Sequence, residues 1–256
     1  MSLIINSNTI IRAQTVIGNP PSGIWNGVSG AVAIYDASSY TSGNTWVDSS
    51  GNGRNMVLTN PVYTSGANPY FTSNSSTMFA IPGNPALYTS NFTWCMRIRF
   101  TGPGSGDWSG LWWSEISVKN FLIAFAGGNW NVTGSWVPRI DTSGGVYIPW
   151  NANNGVTNQG TSPALCTANY TQSAPAAMLT VRRTGSLVEW FINNEVIWTI
   201  TISSWVTYNA NQDIRILSRS QGVYYTAGRL ANVYMYGRSL SNAELAEVEL
   251  NTRRNL

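Results

Sequence analysis

The chain reads as an all-β protein, an antiparallel sandwich finished by one short C-terminal helix. Three observations predict it. Short runs of β-branched and aromatic residues recur along the 256 residues, each bounded by Gly, Ser, Asn or Pro, which is the pattern of a sandwich or barrel. One run, Phe92 to Phe100, alternates strictly: Phe92, Trp94, Met96, Ile98 and Phe100 fall on one face, Arg97 and Arg99 on the other. Helical start signals are confined to the last few turns of the chain.

Taken in order, residues 1–30 are irregular but too apolar for a free tail, with Ile4, Ile5, Ile10 and Ile11 followed by Pro20-Pro21. They are expected to form an arm that docks on the body, residues 31–256, or on a neighbouring subunit. Strands are expected over 31–35, 56–59, 77–81, 92–100, 111–116, 120–126, 136–140, 177–183, 187–192, 196–202, 214–218 and 229–236. The alternating run is expected to turn its apolar face to the core and its arginine face to solvent, a partner or a ligand. Asn193-Asn194 separates two β-rich runs, and Asn tolerates the left-handed conformation of a two-residue hairpin turn. Such a turn pairs Ile192 with Glu195. The segment 144–172 lacks strand signal and is expected to be an extended loop.

Near the C-terminus Ser241-Asn242-Ala243-Glu244 has the spacing of a capping box, with Leu240 and Leu245 placed for a hydrophobic staple. A short helix from about 242 to 252 is expected, with Arg253 and Arg254 at its negative end.

Composition narrows the function. Only 10% of residues are charged, so the surface is wetted mainly by hydroxyls and amides. The net charge of +3 comes from thirteen Arg and one Lys against eleven acids, with no basic stripe. Nucleic acid is therefore not an expected partner. Met1 to Asn6 has neither a basic region nor a cleavage site of signal-peptide type, and no apolar run reaches membrane-spanning length. Two cysteines, Cys95 and Cys166, make no disulfide framework; a buried free thiol is the expectation for each, and one disulfide the alternative.

The chain has no histidine, which removes the commonest general base, Ser-His and Cys-His nucleophile pairs and most catalytic zinc sites. Carboxylate chemistry on sugars needs two acids across a bond. Glu115 stands alone, and the expected hairpin register points Glu189 and Glu195 to opposite faces. Asp48 to Gly53 imitates the start of a calcium loop, but Thr59 occupies the twelfth position where a bidentate Glu is needed. A tight turn capped by the Asp48 side chain is the better reading. Nothing selects Asp36, Asp107, Asp141 or Asp213 as calcium ligands, and no cofactor is expected. Gly102 to Gly106 resembles a phosphate loop only superficially, because Pro103 removes a donor and no helix follows.

Aromatic residues remain. Twelve Trp and twelve Tyr exceed what a core normally uses, and those on loops or outward faces suit sugar stacking or protein interfaces. Trp108, Trp112 and Trp113 follow the Gly-rich turn, while Trp130, Trp136 and Trp150 border polar loops. These six are the candidate ligand-binding residues.

The run Trp46-Val47-Asp48-Ser49-Ser50-Gly51-Asn52-Gly53-Arg54-Asn55 and the run from Gly228 to Leu245 resemble the opening loop and the closing strand-plus-helix of the laminin-G-like, concanavalin A-like jelly-roll domains. Phe191-Ile192-Asn193-Asn194 is similar to that family's Tyr-Val-Asn-Gly hairpin element, without its Gly. The resemblance spans most of residues 31–252. It implies a recognition fold, within a family that includes lectins, adhesion modules, enzymes and viral structural proteins. Enzymatic relatives present Glu-x-Asp-x-(x)-Glu on a strand, and no such run occurs here. The resulting expectation is a non-catalytic virion surface protein, such as a bacteriophage capsid decoration, fibre or tail component. Its expected partners are other virion proteins, copies of itself through the arm, and host glycan. A free or secreted extracellular lectin is the alternative, and a glycoside hydrolase the less favoured one.

Overall fold

A computed structural model of the chain describes residues 27–87, 89–101, 110–116, 119–127, 136–142, 145–147, 176–201, 213–220, 223–253 and 256, with the strands between 110 and 147 described by backbone path and pairing. The described strands are β1 (Ala31–Asp36), β2 (Thr45–Trp46), β3 (Met56–Thr59), β4 (Val62–Thr64), β5 (Tyr70–Ser73), β6 (Met78–Ile81), β7 (Phe92–Phe100), β8 (Gly110–Ile116) and β9 (Lys119–Gly127). They continue with β10 (Trp136–Thr142), β11 (Gly145–Tyr147), β12 (Ala177–Thr184), β13 (Leu187–Ile192), β14 (Glu195–Thr201), β15 (Ile214–Ile216), β16 (Ser218–Ser220), β17 (Val223–Tyr225) and β18 (Gly228–Tyr236). Among the described residues one α-helix, α1 (Asn242–Asn251), closes the body.

Two antiparallel sheets make the sandwich. The first has the order β14-β13-β12-β7-β18-β5-β4, with β1 paired to the second half of β18. The second runs β11-β10-β9-β8-β15-β6-β3-β2, and β16-β17 form a small separate hairpin. The inner face of β7 supplies Phe92, Trp94, Met96 and Ile98, which meet Trp46, Phe71, Phe79, Trp190, Ile214 and Val233 in the main core. Each buried Trp removes roughly 150–250 Å² of surface from water, so this layer dominates the stabilisation. Where β18 begins beside β7, a Cβ on Gly228 would stand 2.9 Å from the Arg99 carbonyl oxygen, which makes glycine the residue that lets the two strands close.

From Thr93 to Arg97 the second face of β7 is not solvent-facing. Thr93, Cys95 and Arg97 are all buried, because α1 folds back over this side of the first sheet. A smaller core forms there from Ile34, Cys95, Met178, Phe191, Tyr234, Tyr236, Leu240, Leu245 and Val248. Val28 joins it, so residues 27–30, on the arm side of residue 31, pack with the body. Residues 1–26 lie outside the described residues.

Other differences from the expected elements have local causes. β2, β4 and β5 are two to four residues long, too short to show a period. The expected strand over 214–218 breaks at Leu217, whose φ of 60° is left-handed. β15 therefore joins the second sheet while β16 leaves it to pair with β17. Within the expected loop over 144–172, Gly145–Tyr147 is a strand paired to β10. The remainder of that loop lies outside the described residues. The hairpin turn matches its expectation: Asn193 and Asn194 have φ of 47° and 66°, and Ile192 pairs with Glu195.

Candidate binding faces

The two outer faces of the sandwich differ. That of the first sheet is closed over much of its area by α1, whose ends are satisfied from below. Ser241 and Glu244 form the capping box, and Arg238 grips the Glu244 carboxylate at 2.6 Å. Arg238 and the Ser241 amide and hydroxyl pull the Glu244 carboxyl down to about 2. At the other end Arg97, 2% exposed, donates from Nε to the Thr252 carbonyl oxygen and from Nη2 to that of Glu249, both at 3.2 Å. Arg182 ties β12 to the helix start through the Leu240 carbonyl and Asn242 Oδ1. Arg253 does not reach for the helix's last carbonyls; it pairs back with Glu249 at 2.8 Å. Burial pushes the Cys95 thiol beneath the helix up to about 12. Cys95 is a free thiol, and Cys166 lies outside the described residues.

The Asp48 loop is a cap on the edge of β1. Asp48 Oδ1 accepts the amides of Ile34 and Ser50, both at 2.9 Å, and its Oδ2 accepts the Arg54 amide at 3.0 Å. The Ser49 amide donates to the Ile34 carbonyl, Asn52 Nδ2 donates to that of Ala31, and the Arg54 guanidinium donates to that of Val32. Each of these groups would otherwise be an open template for another strand. The motif is thus spent on satisfying β1.

Carboxylates among the described residues are used in the same way. Asp36 accepts from Ser38 and Asn232, Asp213 from the Gly83 amide, and Glu189 is ion-paired with Arg182 at 2.7 Å. In the hairpin Glu189 stands opposite Thr199 while Glu195 stands opposite Ile192, so the two do not face one another. Among the described residues no group of three or more His, Cys, Asp or Glu comes together.

The second sheet presents a different outer face. Pairing carries a row across it from Thr45 on β2 to Val57 on β3, Ala80 on β6 and Arg215 on β15. Thr45 is exposed and Val57 is 50% exposed, while Ala80, the next in the row, is buried; the alternate residues Trp46, Met56, Leu58 and Phe79 point inward and are buried. Arg215 is in register with Trp113, and the buried Ile216 with Trp112.

Of the six candidate tryptophans, Trp108, Trp130 and Trp150 lie outside the described residues. Trp112 and Trp113 sit on β8 and Trp136 on β10, so three of them share the second sheet. They do not converge: Trp112 aligns through Ile123 with Ile140, placing Trp136 two strands over and four residues along, about 17 Å by strand geometry. Thr45, Val57 and Arg215 were not legible as a row, because it forms only when four short strands, β2, β3, β6 and β15, pair. The alternation of Met56-Val57-Leu58-Thr59 was its one sequence signal.

No protein-family model matches the chain, and no curated protein is similar to it in sequence. Solved structures share its fold. The binding domain of Paraclostridial Mosquitocidal Protein 1 superimposes with a TM-score of 0.60 at 17% identity, covering 86% of this chain and 52% of that one. Domain 4 of AbnA, a GH43 extracellular arabinanase from Geobacillus stearothermophilus, in complex with arabinotriose, gives 0.60 at 13% identity over 86% of this chain and 98% of that one. The binding domain of Botulinum neurotoxin DC in complex with rat synaptotagmin II gives 0.60 at 13% identity over 88% and 52%. The chain thus spans about half the length of the two toxin binding domains and nearly all of the arabinanase domain.

Proposed function

We propose that this chain is a non-catalytic, lectin-like recognition module whose ligand, a carbohydrate or glycosylated receptor, docks on the outer face of the second sheet. The observation that carries the proposal is the asymmetry of the faces. One is occupied by α1 and its arginine clasp, while the other displays Thr45, Val57 and Arg215 in register with Trp113. An exposed threonine and valine with an arginine in the same row suit a sugar, which offers one apolar ring face and a rim of hydroxyls. Similarity of fold to domains that bind a receptor and arabinotriose supports the reading. The use of Asp36, Asp48, Glu189, Glu244 and Glu249 in structural bonds favours binding over bond cleavage.

The setting proposed for this module is the virion surface, as a capsid decoration, fibre or tail component, with the N-terminal arm joining it to other virion proteins and to its own copies. Its support is the low charge and the apolar arm. Light scattering of the full chain tests it: a stable multimer supports the arm as an attachment device, and a monomer at micromolar concentration favours a free extracellular lectin. The ligand face is tested by calorimetric titration with neutral oligosaccharides. Trp113→Ala is expected to weaken binding at least tenfold with thermal stability kept; unchanged affinity would remove this face from consideration.

A further inference from the structure

A row of different chemistry lies on the outer face of the first sheet. Pairing aligns Val62 on β4, Thr72 on β5, Arg229 on β18 and Arg99 on β7 in one row. The row belongs to the outer face, since the alternate residues Phe71, Leu230 and Ile98 are buried in the main core. Val62 is 44% exposed and Thr64, opposite Tyr70, is exposed. The Arg229 guanidinium carbon lies 4.8 Å from the centre of the Tyr70 ring, the diagonal neighbour across the β5–β18 pair.

This arrangement sets the guanidinium carbon over an aromatic ring, and among the described residues no hydrogen-bond acceptor is matched to its N–H donors. No carboxylate among the described residues pairs with Arg229. Arg99, beside it in register, donates to the Leu256 oxygen at 2.6 Å. Arg182, Arg238 and Arg253, by contrast, are each matched to an acid. A planar fork fixed by stacking is the geometry that recognises an oxyanion through two parallel hydrogen bonds. Tyr70, Thr64 and Thr72 around it supply a ring and two hydroxyls, which suit a hydroxylated ligand better than a bare ion.

We infer that Arg229, stacked on Tyr70 and flanked by Arg99, Thr64 and Thr72, forms a binding site for an acidic saccharide, with the sugar carboxylate on the Arg229 fork. The site stands apart from the second sheet, so failure of neutral sugars to bind there leaves it untouched.

The test is a titration of the full chain followed through the Arg229 Nε–Hε resonance and the Thr72 amide. Three probes are used at equal ionic strength: trigalacturonate, neutral galactotriose and inorganic sulfate. Trigalacturonate is expected to shift both signals saturably and more tightly than sulfate, and galactotriose to leave them in place. Arg229→Gln should reduce trigalacturonate affinity at least tenfold with an unchanged melting temperature, while Arg229→Lys keeps the charge, loses the fork and falls between. Equal response to galactotriose, sulfate binding as tightly as the saccharide, or undiminished affinity in Arg229→Gln would each overturn the inference.

Discussion

Asp48 accepts the backbone amide of Ile34 at 2.9 Å, binding a loop to a strand fourteen residues earlier in the chain. The same carboxylate holds the amides of Ser50 and Arg54, so one nearly buried side chain organises both the turn and the edge of β1. Replacing it with Ala strands three donors, and Asp48→Ala is expected to lose about 2–3 kcal/mol in urea denaturation, with faster hydrogen exchange at Ile34. Because its oxygens are aimed at amides, calcium is expected to leave the melting temperature of the native chain unchanged. A calcium-dependent rise that disappears in Asp48→Ala would show instead that the loop is a cation site.

Arg97 stands in the same structural relation to α1. Its guanidinium supplies donors to the Glu249 and Thr252 oxygens, which the helix itself cannot satisfy. Arg97→Met is expected to cost about 3 kcal/mol, because it leaves buried carbonyl oxygens short of a donor and removes a 3.7 Å ion pair with the Glu249 carboxylate, which keeps Arg253. Native-state hydrogen exchange checks where the loss falls: amides of α1 should open first and those of β7 and β18 last. Uniform loss across both would separate Arg97 from helix docking.

The Glu244 carboxyl is pulled down to about 2 by Arg238 and the Ser241 cap. A folded-state value below the unfolded one adds stability that is complete above the ordinary carboxylate range and is lost as pH falls toward 2. Stability of the native chain and of Glu244→Gln should therefore differ most above roughly pH 5 and converge in strong acid. Removing the cap hydroxyl in Ser241→Ala is expected to cost about 1 kcal/mol. Parallel pH curves for the native chain and Glu244→Gln would contradict the assignment.

The hairpin turn is held by side chains as well as by backbone shape. Asn193 Oδ1 accepts the Met178 amide at 2.9 Å, and Asn194 Nδ2 donates to Glu249 Oε2 at 3.3 Å. Asn193→Gly keeps the left-handed φ but loses the Met178 bond, so it is expected to destabilise by about 1 kcal/mol, and Asn193→Ala by about 2 kcal/mol. Guanidinium denaturation of the two variants measures the order; Asn193→Gly as stable as the native chain would show that the bond contributes nothing.

Elements with strong local signals were legible in the sequence. The alternation of Phe92 to Ile98, the turn at Asn193-Asn194 and the cap at Ser241 all fold as the local chemistry dictates, because each is decided within one strand or one turn. The arginine face of β7 was legible as a face but not as a buried one. Its cover, α1, lies about 150 residues later, and no local pattern says that Arg97 will meet Thr252. The candidate site was legible only as residue types. The tryptophans stand out by number, yet the row through Thr45, Val57 and Arg215 and the stacking of Arg229 on Tyr70 depend on register between distant strands.

The most direct measurement is saturation-transfer NMR on the full chain with a panel of neutral oligosaccharides, arabinotriose among them, since one sample reports both contact and cleavage. Transfer from protein to sugar is expected for at least one member, competed by excess unlabelled ligand and weakened in Trp113→Ala, with no new reducing-end signals over days. Steady appearance of shorter sugars would contradict a module that only binds. Silence across the whole panel would contradict a carbohydrate ligand for the second sheet.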